Sequence, residues 1–165
     1  MEESGYLKER DKIKLQEKEL TALDGLWFLE VEKQWGYEAA NKINREVWRR
    51  CGPILVREMK RMFRIEGKTF AEVRILFGSI LELDGTTFTF ESSDDQHLVV
   101  RISRCVWYEN LKRAGRHELH DCMKIDLALL PTWLEAIDPR LEFRFARAIP
   151  RGDECCEIVL NYRNG

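Results

Sequence analysis

The first half of the chain has the hydrophobic spacing of helices. Between residues 20 and 35, apolar side chains recur at steps of three and four, which places them on one helical face. Gly36 predicts the end of this helix, because glycine readily takes the left-handed conformation of a C-cap. A second helix is predicted from about residue 37 to 63. The residues predicted to face the core are Leu20, Leu23, Trp27, Val31 and Trp35 in the first helix, and Ala40, Ile43, Val47 and Trp48 in the second.

Two local signals refine this helical half. The sequence Cys-Gly-Pro at residues 51–53 predicts a kink or short break, because proline lacks an amide hydrogen and disfavours a helical residue before it. Thr69 is the predicted N-cap of a third helix over residues 70–83, with Glu72 at the capping-box position three residues later. The predicted core side of this helix is Val73, Leu76, Phe77, Ile80 and Leu81.

The pattern changes to a period of two after Asp84 and Gly85. Phenylalanine alternates with threonine and glutamate over residues 86–91, as is typical of a strand, and residues 97–102 predict its antiparallel partner. A second hairpin is predicted from residues 141–149 and 155–162. Between the hairpins, the spacing predicts a short helix over residues 106–114 and a longer one over residues 122–137 with a kink at Pro131.

These elements predict one α+β domain over residues 1–165, in which an N-terminal helical half packs on antiparallel hairpins interleaved with helices. The highly charged residues 1–12 are predicted to be a mobile lead-in. Residues 13–83 form the predicted helical half, and residues 84–165 form the mixed half that carries the candidate site.

Charge and cysteine content narrow the functional classes. A net charge of -2 and a pI near 6.0 argue against a general nucleic-acid binder, which would present a strongly basic face. No run of eighteen apolar residues predicts a membrane span, and the polar start lacks a secretion signal, so we expect a cytoplasmic protein. An odd count of five cysteines in a reducing compartment predicts thiols that are free, metal-bound or catalytic.

The cysteines suggest a nucleophile at the end of an element. Cys105 precedes the short helix, and Cys122 opens the longer one, where Asp126 follows on the same helical face. A thiol at a helix N-terminus has a lowered pKa. His120, two residues before Cys122, is the candidate general base.

Other interpretations of the same residues remain open. A free cysteine is often only a small core residue. Alternation along the last strand predicts that Cys155 and Cys156 face opposite sides, so that at most one of them shares a site with Cys105 or Cys122. We expect no cofactor, and the metal alternative is a zinc or iron–sulfur site. Its four candidate ligands are Cys105, His117, His120 and Cys122.

Substrate-binding candidates come from aromatic and basic residues near the cysteines. The tryptophans fit the apolar core, but Trp107 and Tyr108, close to Cys105, are also candidates to wall a ligand pocket. A non-catalytic binding site is predicted to be lined by Trp107, Phe143 and Phe145. Arg144 is predicted to pair with a substrate carboxylate, because its planar guanidinium matches one. Cys156 completes the predicted substrate-binding set.

Several of these residues carry a resemblance to a known family. The segment TALDGLWF at residues 21–28, with Glu30, Glu32 and WRR at residues 48–50, resembles an uncharacterised prokaryotic family similar to the L-2-amino-thiazoline-4-carboxylate hydrolase-like proteins. The family pattern also has a cysteine before a short helix, a helix opened by cysteine and aspartate, and a closing strand with Gly-Asp and cysteine. These positions fall on Cys105, on Cys122 with Asp126, and on Gly152, Asp153 and Cys156 or Cys155.

The resemblance implies an α+β fold and a thiol-dependent hydrolase that opens a small cyclic amidine or thiazoline ring. In that interpretation Cys122 or Cys105 attacks the amidine carbon, His120 carries the proton, and Asp126 holds the substrate amine or the imidazole. The Gly-Asp-x-Cys hairpin is also similar to sensor domains of the vinyl-reductase type, so the alternative is a non-catalytic small-molecule-binding or sensor domain. Neither function calls for nucleic acid or a membrane as partner. The apolar face of the first helix also fits a homodimer seam.

Overall fold

The computed structural model describes residues 6–93, 97–118 and 122–163. Its four strands form one antiparallel sheet in the order β1-β2-β4-β3, so the predicted α+β fold is confirmed. The elements in chain order are α1 Glu9–Trp35, α2 Tyr37–Phe63, α3 Phe70–Leu83, β1 Thr87–Ser93, β2 His97–Arg104, α4 Val106–Arg113, α5 Cys122–Ile137, β3 Leu141–Arg147, a 3-10 helix Ile149–Arg151, and β4 Cys156–Tyr162.

The contacts divide the chain into two compact units, residues 1–44 and residues 45–165. A single domain over the whole chain therefore stays a prediction. In the first unit, Phe28 and Val31 of α1 and Ala40 of α2 form a small buried cluster, with the Tyr37 ring packed edge-on against Phe28 at 5.9 Å. The helix begins at Glu9, so its predicted start near residue 13 was wrong. Acidic side chains in the first turn favour this earlier start, because they face the positive end of the helix dipole.

The predicted inner face of α1 was also wrong at most positions. Only Val31 of that set is buried, whereas Leu23 and Trp35 are each 65% exposed. The buried face of α1 contains Phe28 and Val31, so Leu20, Leu23 and Trp27 lie outside it. In α2, Ala40 is buried as predicted, but Ile43 and Val47 are exposed. Helical spacing identified the apolar positions, yet it could not identify which of them meet another element.

Helix α2 runs through Pro53 without the predicted break. Proline removes one donor from the helical hydrogen-bond ladder. The neighbouring carbonyl of Trp48 accepts a hydrogen bond from Nε1 of Trp133 at 2.9 Å, which adds a donor from another helix at this weakened turn. Gly52 allows the approach, because a side chain at this position would overlap the Trp133 ring.

The core of the second unit lies between α2, α3, α5 and one face of the sheet. Helix α3 has the predicted bounds, and the Thr69 hydroxyl accepts from the Glu72 amide at 3.3 Å. All five residues predicted for its inner side are buried in this core. The sheet residues of the same cluster alternate along the strands: Leu98, Val100 and Ile102 on β2, Leu141 on β3, and Ile158 and Leu160 on β4.

None of the described helices is long and apolar enough to cross a membrane.

Candidate functional site

The candidate site begins at the C-terminal end of α3, where Asp84 is the C-cap. The chain turns there in a Schellman motif: the Thr86 amide donates to the Leu81 carbonyl at 3.0 Å, and the Gly85 amide to the Glu82 carbonyl at 2.9 Å. Gly85 has φ +67°, a conformation that favours glycine. The turn fixes the Asp84 carboxyl at the negative end of a helix, where its own charge is unfavourable.

The turn at Gly85 faces the start of α4. A side-chain carbon on Gly85 would lie 3.4 Å from the Val106 methyl, so the two segments are in close contact. Cys105 is the N-cap of α4. The amides of Trp107 and Tyr108 lie towards its sulfur and lower the pKa of the thiol, although the sulfur makes no full capping hydrogen bond. Burial raises the pKa of the Cys105 thiol, and this effect is larger than that of the two amides.

Asp126, in the second turn of α5, lies near enough to Asp84 for their charges to interact. Burial raises the pKa of its carboxyl to about 7, and the charge of Asp84 adds to this rise. Burial also raises the pKa of Asp84, to about 6, against a hydrogen bond from Trp107 that lowers it. Between about pH 6 and pH 7, Asp84 is therefore the more ionised carboxyl of the pair and Asp126 the more protonated one, an arrangement that suits acid–base chemistry.

Three thiols lie near enough to the two carboxyl groups to interact with them electrostatically. Burial, with the nearby Asp126 and Cys156, raises the pKa of Cys105 to about 11. The pKa of Cys156 is raised by burial and by Asp126, and that of Cys51 by burial and by Asp84. All three are protonated at neutral pH and keep part of their surface accessible. We call this set the carboxyl–thiol cluster: Asp84, Asp126, Cys51, Cys105 and Cys156.

Aromatic residues support one side of the carboxyl–thiol cluster. The Trp107 ring packs edge-on against the Trp48 ring at 5.5 Å. The backbone carbonyl of Trp48 accepts the hydrogen bond from Trp133 of α5. Every residue in this support belongs to the second unit.

Four of the predicted site residues meet in the carboxyl–thiol cluster or beside it: Cys105, Asp126, Cys156 and Trp107. Cys156 faces the core from β4, paired with Ile102, whereas the buried Cys155 lies beside Arg101 on the other face of the sheet. The two neighbouring cysteines therefore face opposite sides, as the alternation predicted.

Three predicted site residues lie between α4 and α5 or at the start of α5. Cys122 is the first residue of α5, one turn before Asp126, and is partly buried. His117 packs edge-on against Tyr108 at 6.2 Å, and its buried Nδ1 has no hydrogen-bond partner among the described residues. His120, the predicted general base, lies outside the described residues.

The structure does not bring Arg144 to the carboxyl–thiol cluster. On β3 its neighbours Phe143 and Phe145 pack against the core, so Arg144, which lies between them, faces the opposite side of the sheet and is exposed. The period of two along a strand is the physical reason. A substrate carboxylate bound beside Asp126 would therefore need a partner other than Arg144.

The metal alternative has no complete ligand set in the part of the chain that the structure describes. No group of three or more histidine, cysteine, aspartate or glutamate residues is placed there to hold a metal ion. Cys105, His117 and Cys122 belong to that part, and they form no such group.

A separate open groove of about 830 Å³ lies between α3 and the edge strand β1. Its lining includes Arg74, which stacks over the Phe90 ring at 4.7 Å, together with Glu82 and Thr86. No member of the carboxyl–thiol cluster lines this groove. We place the candidate chemistry at the cluster, because several titratable groups of the described residues with raised pKa values lie near one another there.

Sequence analysis missed Asp84 and Cys51. Asp84 looked like a turn residue before Gly85, although an aspartate at the C-terminal end of an apolar helix is electrostatically unfavourable and was a usable signal. Cys51 gave no such signal, because its position was explained by the expected helix break at Pro53.

The comparisons with known proteins agree with this fold. A trafficking protein particle complex subunit 3 from Naegleria fowleri, covalently bound to palmitic acid, aligns with a TM-score of 0.56 and 15% identity, covering 92% of this chain and 97% of that chain. The phenol-responsive sensory domain of the transcription activator PoxR, solved with phenol, gives a TM-score of 0.59 and 13% identity, covering 86% and 73%. At these identities the likeness shows the fold alone.

No curated protein matches the chain significantly. One family does: the sequence profile of L-2-amino-thiazoline-4-carboxylic acid hydrolase matches residues 15–160. The resemblance stated from the sequence is thus confirmed, and the chain belongs to the L-2-amino-thiazoline-4-carboxylic acid hydrolase family.

Proposed function

We propose that the chain is a hydrolase that opens a small cyclic amidine, of the 2-aminothiazoline kind, at the carboxyl–thiol cluster. The proposal rests on the nearness of the Asp84 and Asp126 carboxyl groups, each of which has a pKa raised by burial towards neutral pH. An amidinium is planar and cationic, and it matches an ionised carboxylate as a guanidinium does. The family match supplies the substrate class.

The proposed reaction starts from the bound amidinium. Water attacks the amidine carbon and forms a C–O bond while its proton passes to the Asp84 carboxylate. The ring C–N bond then breaks: Asp126 gives its proton to the ring nitrogen and takes one from the hydroxyl of the tetrahedral intermediate as the C=O bond forms. The released amine takes the proton held by Asp84, so the products are a carbamoyl group on sulfur and a free ammonium.

Water is a better proposed nucleophile than a cysteine here. The pKa of Cys105 at about 11 leaves almost no thiolate at neutral pH, and the nearby Asp126 opposes thiolate formation. The neutral thiols of Cys51, Cys105 and Cys156 would instead lie around the sulfur of the bound ring. Sequence analysis proposed a thiol nucleophile because element ends favour one, but it could not include the effect of burial.

The test is a turnover assay of 2-amino-thiazoline-4-carboxylate with matched variants. Asp126→Asn should lower kcat/KM by about 100-fold or more, since it removes the proton donor. Asp84→Asn should do the same, whereas Cys105→Ala should cost less than about 10-fold and Glu135→Gln, an exposed carboxyl on α5, nothing. Loss of turnover in Cys105→Ala with retention in Asp126→Asn would overturn the proposal in favour of a cysteine nucleophile.

The second candidate function is non-catalytic binding of a small molecule. It is favoured by the raised pKa values of Cys51, Cys105 and Cys156, which make these thiols chemically passive. Calorimetry that finds tight binding of a cyclic amidine by the wild type, with no turnover from pH 5 to pH 9, would establish this candidate and end the hydrolase proposal.

The proposal also includes the setting and assembly of the chain. All five cysteines are free thiols, which fits the cytoplasm. A homodimer through α1 is proposed because Ile13, Leu20 and Trp27 recur every seven residues and are exposed, with Leu23 at the intervening position.

A further inference from the structure

The open groove between α3 and β1 lies along an edge of the sheet. Among the described residues, β1 pairs with β2 alone, so the other side of its backbone has no neighbouring strand. Alternate residues of an edge strand direct their amide and carbonyl groups away from the sheet, where another chain can pair with them. One side of the groove therefore offers backbone hydrogen bonds to an extended segment.

The two edge strands differ in how well they exclude another chain. On β3, three exposed side chains are charged: Glu142, Arg144 and Arg147. Exposed charges of this kind oppose edge-to-edge pairing. On β1 the exposed residues Thr87 and Thr89 are uncharged and favour a strand, and the Glu91 side chain is paired with Arg101 of β2 at 3.0 Å. We therefore expect β1 to be the edge that accepts another segment.

Irregular pairing limits the length of β1 that can accept a further strand. The register with β2 shifts between Thr87 and Phe88 and again between Phe90 and Ser92. Such bulges bend a strand and increase its twist. Regular pairing is therefore confined to a short stretch around residues 88–90, which suits a short bound segment rather than the edge of a whole second sheet.

Apolar surface lines the middle of the groove. Phe88 and Phe90 are half-buried, with their ring centroids 5.4 Å apart. They pack on α3 at Gly78, where an added side-chain carbon would lie 3.3 Å from the Phe90 ring and 3.5 Å from the Phe88 ring. Ile75, three residues earlier in α3, is 47% exposed and lines the same groove. An apolar side chain of a bound segment would be removed from water at this place.

Opposite charges lie towards the two ends of the groove. The Arg74 guanidinium is at the Phe90 end, 4.7 Å from the centroid of that ring. Glu82, eight residues later in α3, is at the end where the helix turns into Thr86. Both side chains are exposed, and their backbone positions are about 12 Å apart along the helix axis.

We propose that this groove binds an extended segment of a partner protein as a fifth strand, antiparallel to β1, with an acidic residue at Arg74 and a basic residue at Glu82. An apolar residue midway between them lies over Phe88, Phe90 and Ile75. Backbone pairing with the sheet edge supplies affinity, and the three side chains supply specificity. The surface is separate from the proposed hydrolase chemistry, because no member of the carboxyl–thiol cluster lines the groove.

Strand geometry fixes the spacing and the order of the recognised residues. Side chains at positions i, i+2 and i+4 of a strand face the same side and span roughly 13 Å, which matches the separation of Arg74 and Glu82. Because β1 runs from the Glu82 end to the Arg74 end, an antiparallel segment runs the other way. The recognised pattern is therefore acidic-x-apolar-x-basic, read from the N-terminus.

The first experiment titrates the ¹⁵N-labelled chain with two capped peptides of the same composition. One is Thr-Glu-Thr-Leu-Thr-Lys-Thr, and the other has the reversed charges, Thr-Lys-Thr-Leu-Thr-Glu-Thr. The first should shift the amide signals of β1 and of the exposed side of α3, and it should slow hydrogen exchange of β1 amides. The second should bind about 10-fold more weakly, because each of its charges meets a like charge.

Two results of this titration would overturn the inference. Equal binding of the two peptides would show that Arg74 and Glu82 do not select the order of charges. Signals of β1 and α3 that neither peptide moves at millimolar concentration would show that the groove binds no such segment.

The second experiment exchanges the two charges in the double variant Arg74→Glu/Glu82→Lys, which keeps the net charge of the chain. Its preference should reverse, so that the second peptide binds about 10-fold more tightly than the first. Glu135→Lys, an exposed position on α5, is the control and should keep the wild-type preference. A double variant that is folded by circular dichroism and keeps the wild-type preference would overturn the inference and leave the hydrolase proposal intact.

Hydrogen exchange of the free chain tests whether a second copy occupies the groove instead. Without peptide, the β1 amides that face away from β2 should exchange rapidly at every protein concentration, also in Leu23→Glu. Slow exchange that is lost on dilution, and that persists in Leu23→Glu, would assign the edge to a second copy of the chain and overturn the inference.

Discussion

Single residues at the site work against the stability of the fold. Asp84 and Asp126 are partly removed from water near each other, so their ionised forms are unfavourable. An apolar or amide side chain at either position would avoid the desolvation free energy of a carboxylate. Such a cost at two carboxyl groups that meet in one half-buried place is typical of a functional site.

The first prediction at this scale concerns stability against pH. The folded pKa of Asp126 is raised from 3.8 to about 7, so the folded state binds the proton more tightly than the unfolded state does. The contribution of this proton is present in full below the unfolded pKa and is lost as pH rises through about 7. Asp126→Asn, which cannot ionise, should therefore be more stable than the wild type at pH 8.

The measurement is urea unfolding at pH 5 and pH 8. The gain in unfolding free energy at pH 8 should be on the order of 2 kcal/mol, and it should shrink at pH 5. Glu135→Gln is the control on the same helix and should follow the wild type at both values. Equal gains at the two pH values would show that packing, rather than the charge of Asp126, causes the change.

At the scale of elements, we expect substitutions to affect stability most where α2 packs against α5. Pro53 weakens the hydrogen-bond ladder of α2, and the Trp133 indole supplies a donor to the Trp48 carbonyl. Gly52 makes room for that indole. The same contact stabilises Trp48, the support of Trp107, so packing between these helices and the candidate site are linked.

We predict that Gly52→Ala destabilises the chain even though alanine is the better helix former. The added methyl overlaps the Trp133 ring, which is buried and cannot move freely, so the cost should be roughly 1–3 kcal/mol or more. Gly25→Ala is the matched control: nothing lies near the new methyl in α1, and the gain should be up to about 1 kcal/mol.

Thermal unfolding followed by circular dichroism measures both variants. If Gly52→Ala melts at or above the temperature of the wild type, the close packing of Trp133 on α2 is refuted.

At the scale of the whole molecule, the exposed apolar face of α1 calls for a partner surface. Leu23 is 65% exposed and Leu20 is 45% exposed, and with Trp27 they share one helical face. Exposed apolar patches of this kind are typical of interfaces. A second copy of the chain presents the same heptad spacing, which favours pairing of the two α1 helices.

The prediction is that Leu23→Glu converts a dimer to a monomer in analytical ultracentrifugation. The buried glutamate would be unpaired in the dimer, so the dissociation constant should rise by about 100-fold or more. Lys18→Glu, on the other face of α1, should leave the dimer intact. A wild type that sediments as a monomer at every concentration tested would refute the dimer.

The sequence by itself determined nearly all of the elements. Periodicity, Thr69 and Gly36 located three helices, and alternation located both hairpins, because hydrophobic spacing and capping are local properties of the chain. It also named Cys105, Asp126, Trp107 and Cys156, which the structure brings together. Local pattern could do this because these residues stand at or near the ends of elements that it had placed correctly.

Only the tertiary structure decided which faces are buried and which residues act on one another. Leu23 is exposed because Phe28 and Val31 occupy the buried side of α1, a fact of packing that no spacing along α1 contains. Asp84 acts on Asp126 although 42 positions separate them in sequence, and burial raises the pKa of Cys105 to about 11. Desolvation and charge coupling depend on distances through space, so the chemistry of the site was fixed only when the chain folded.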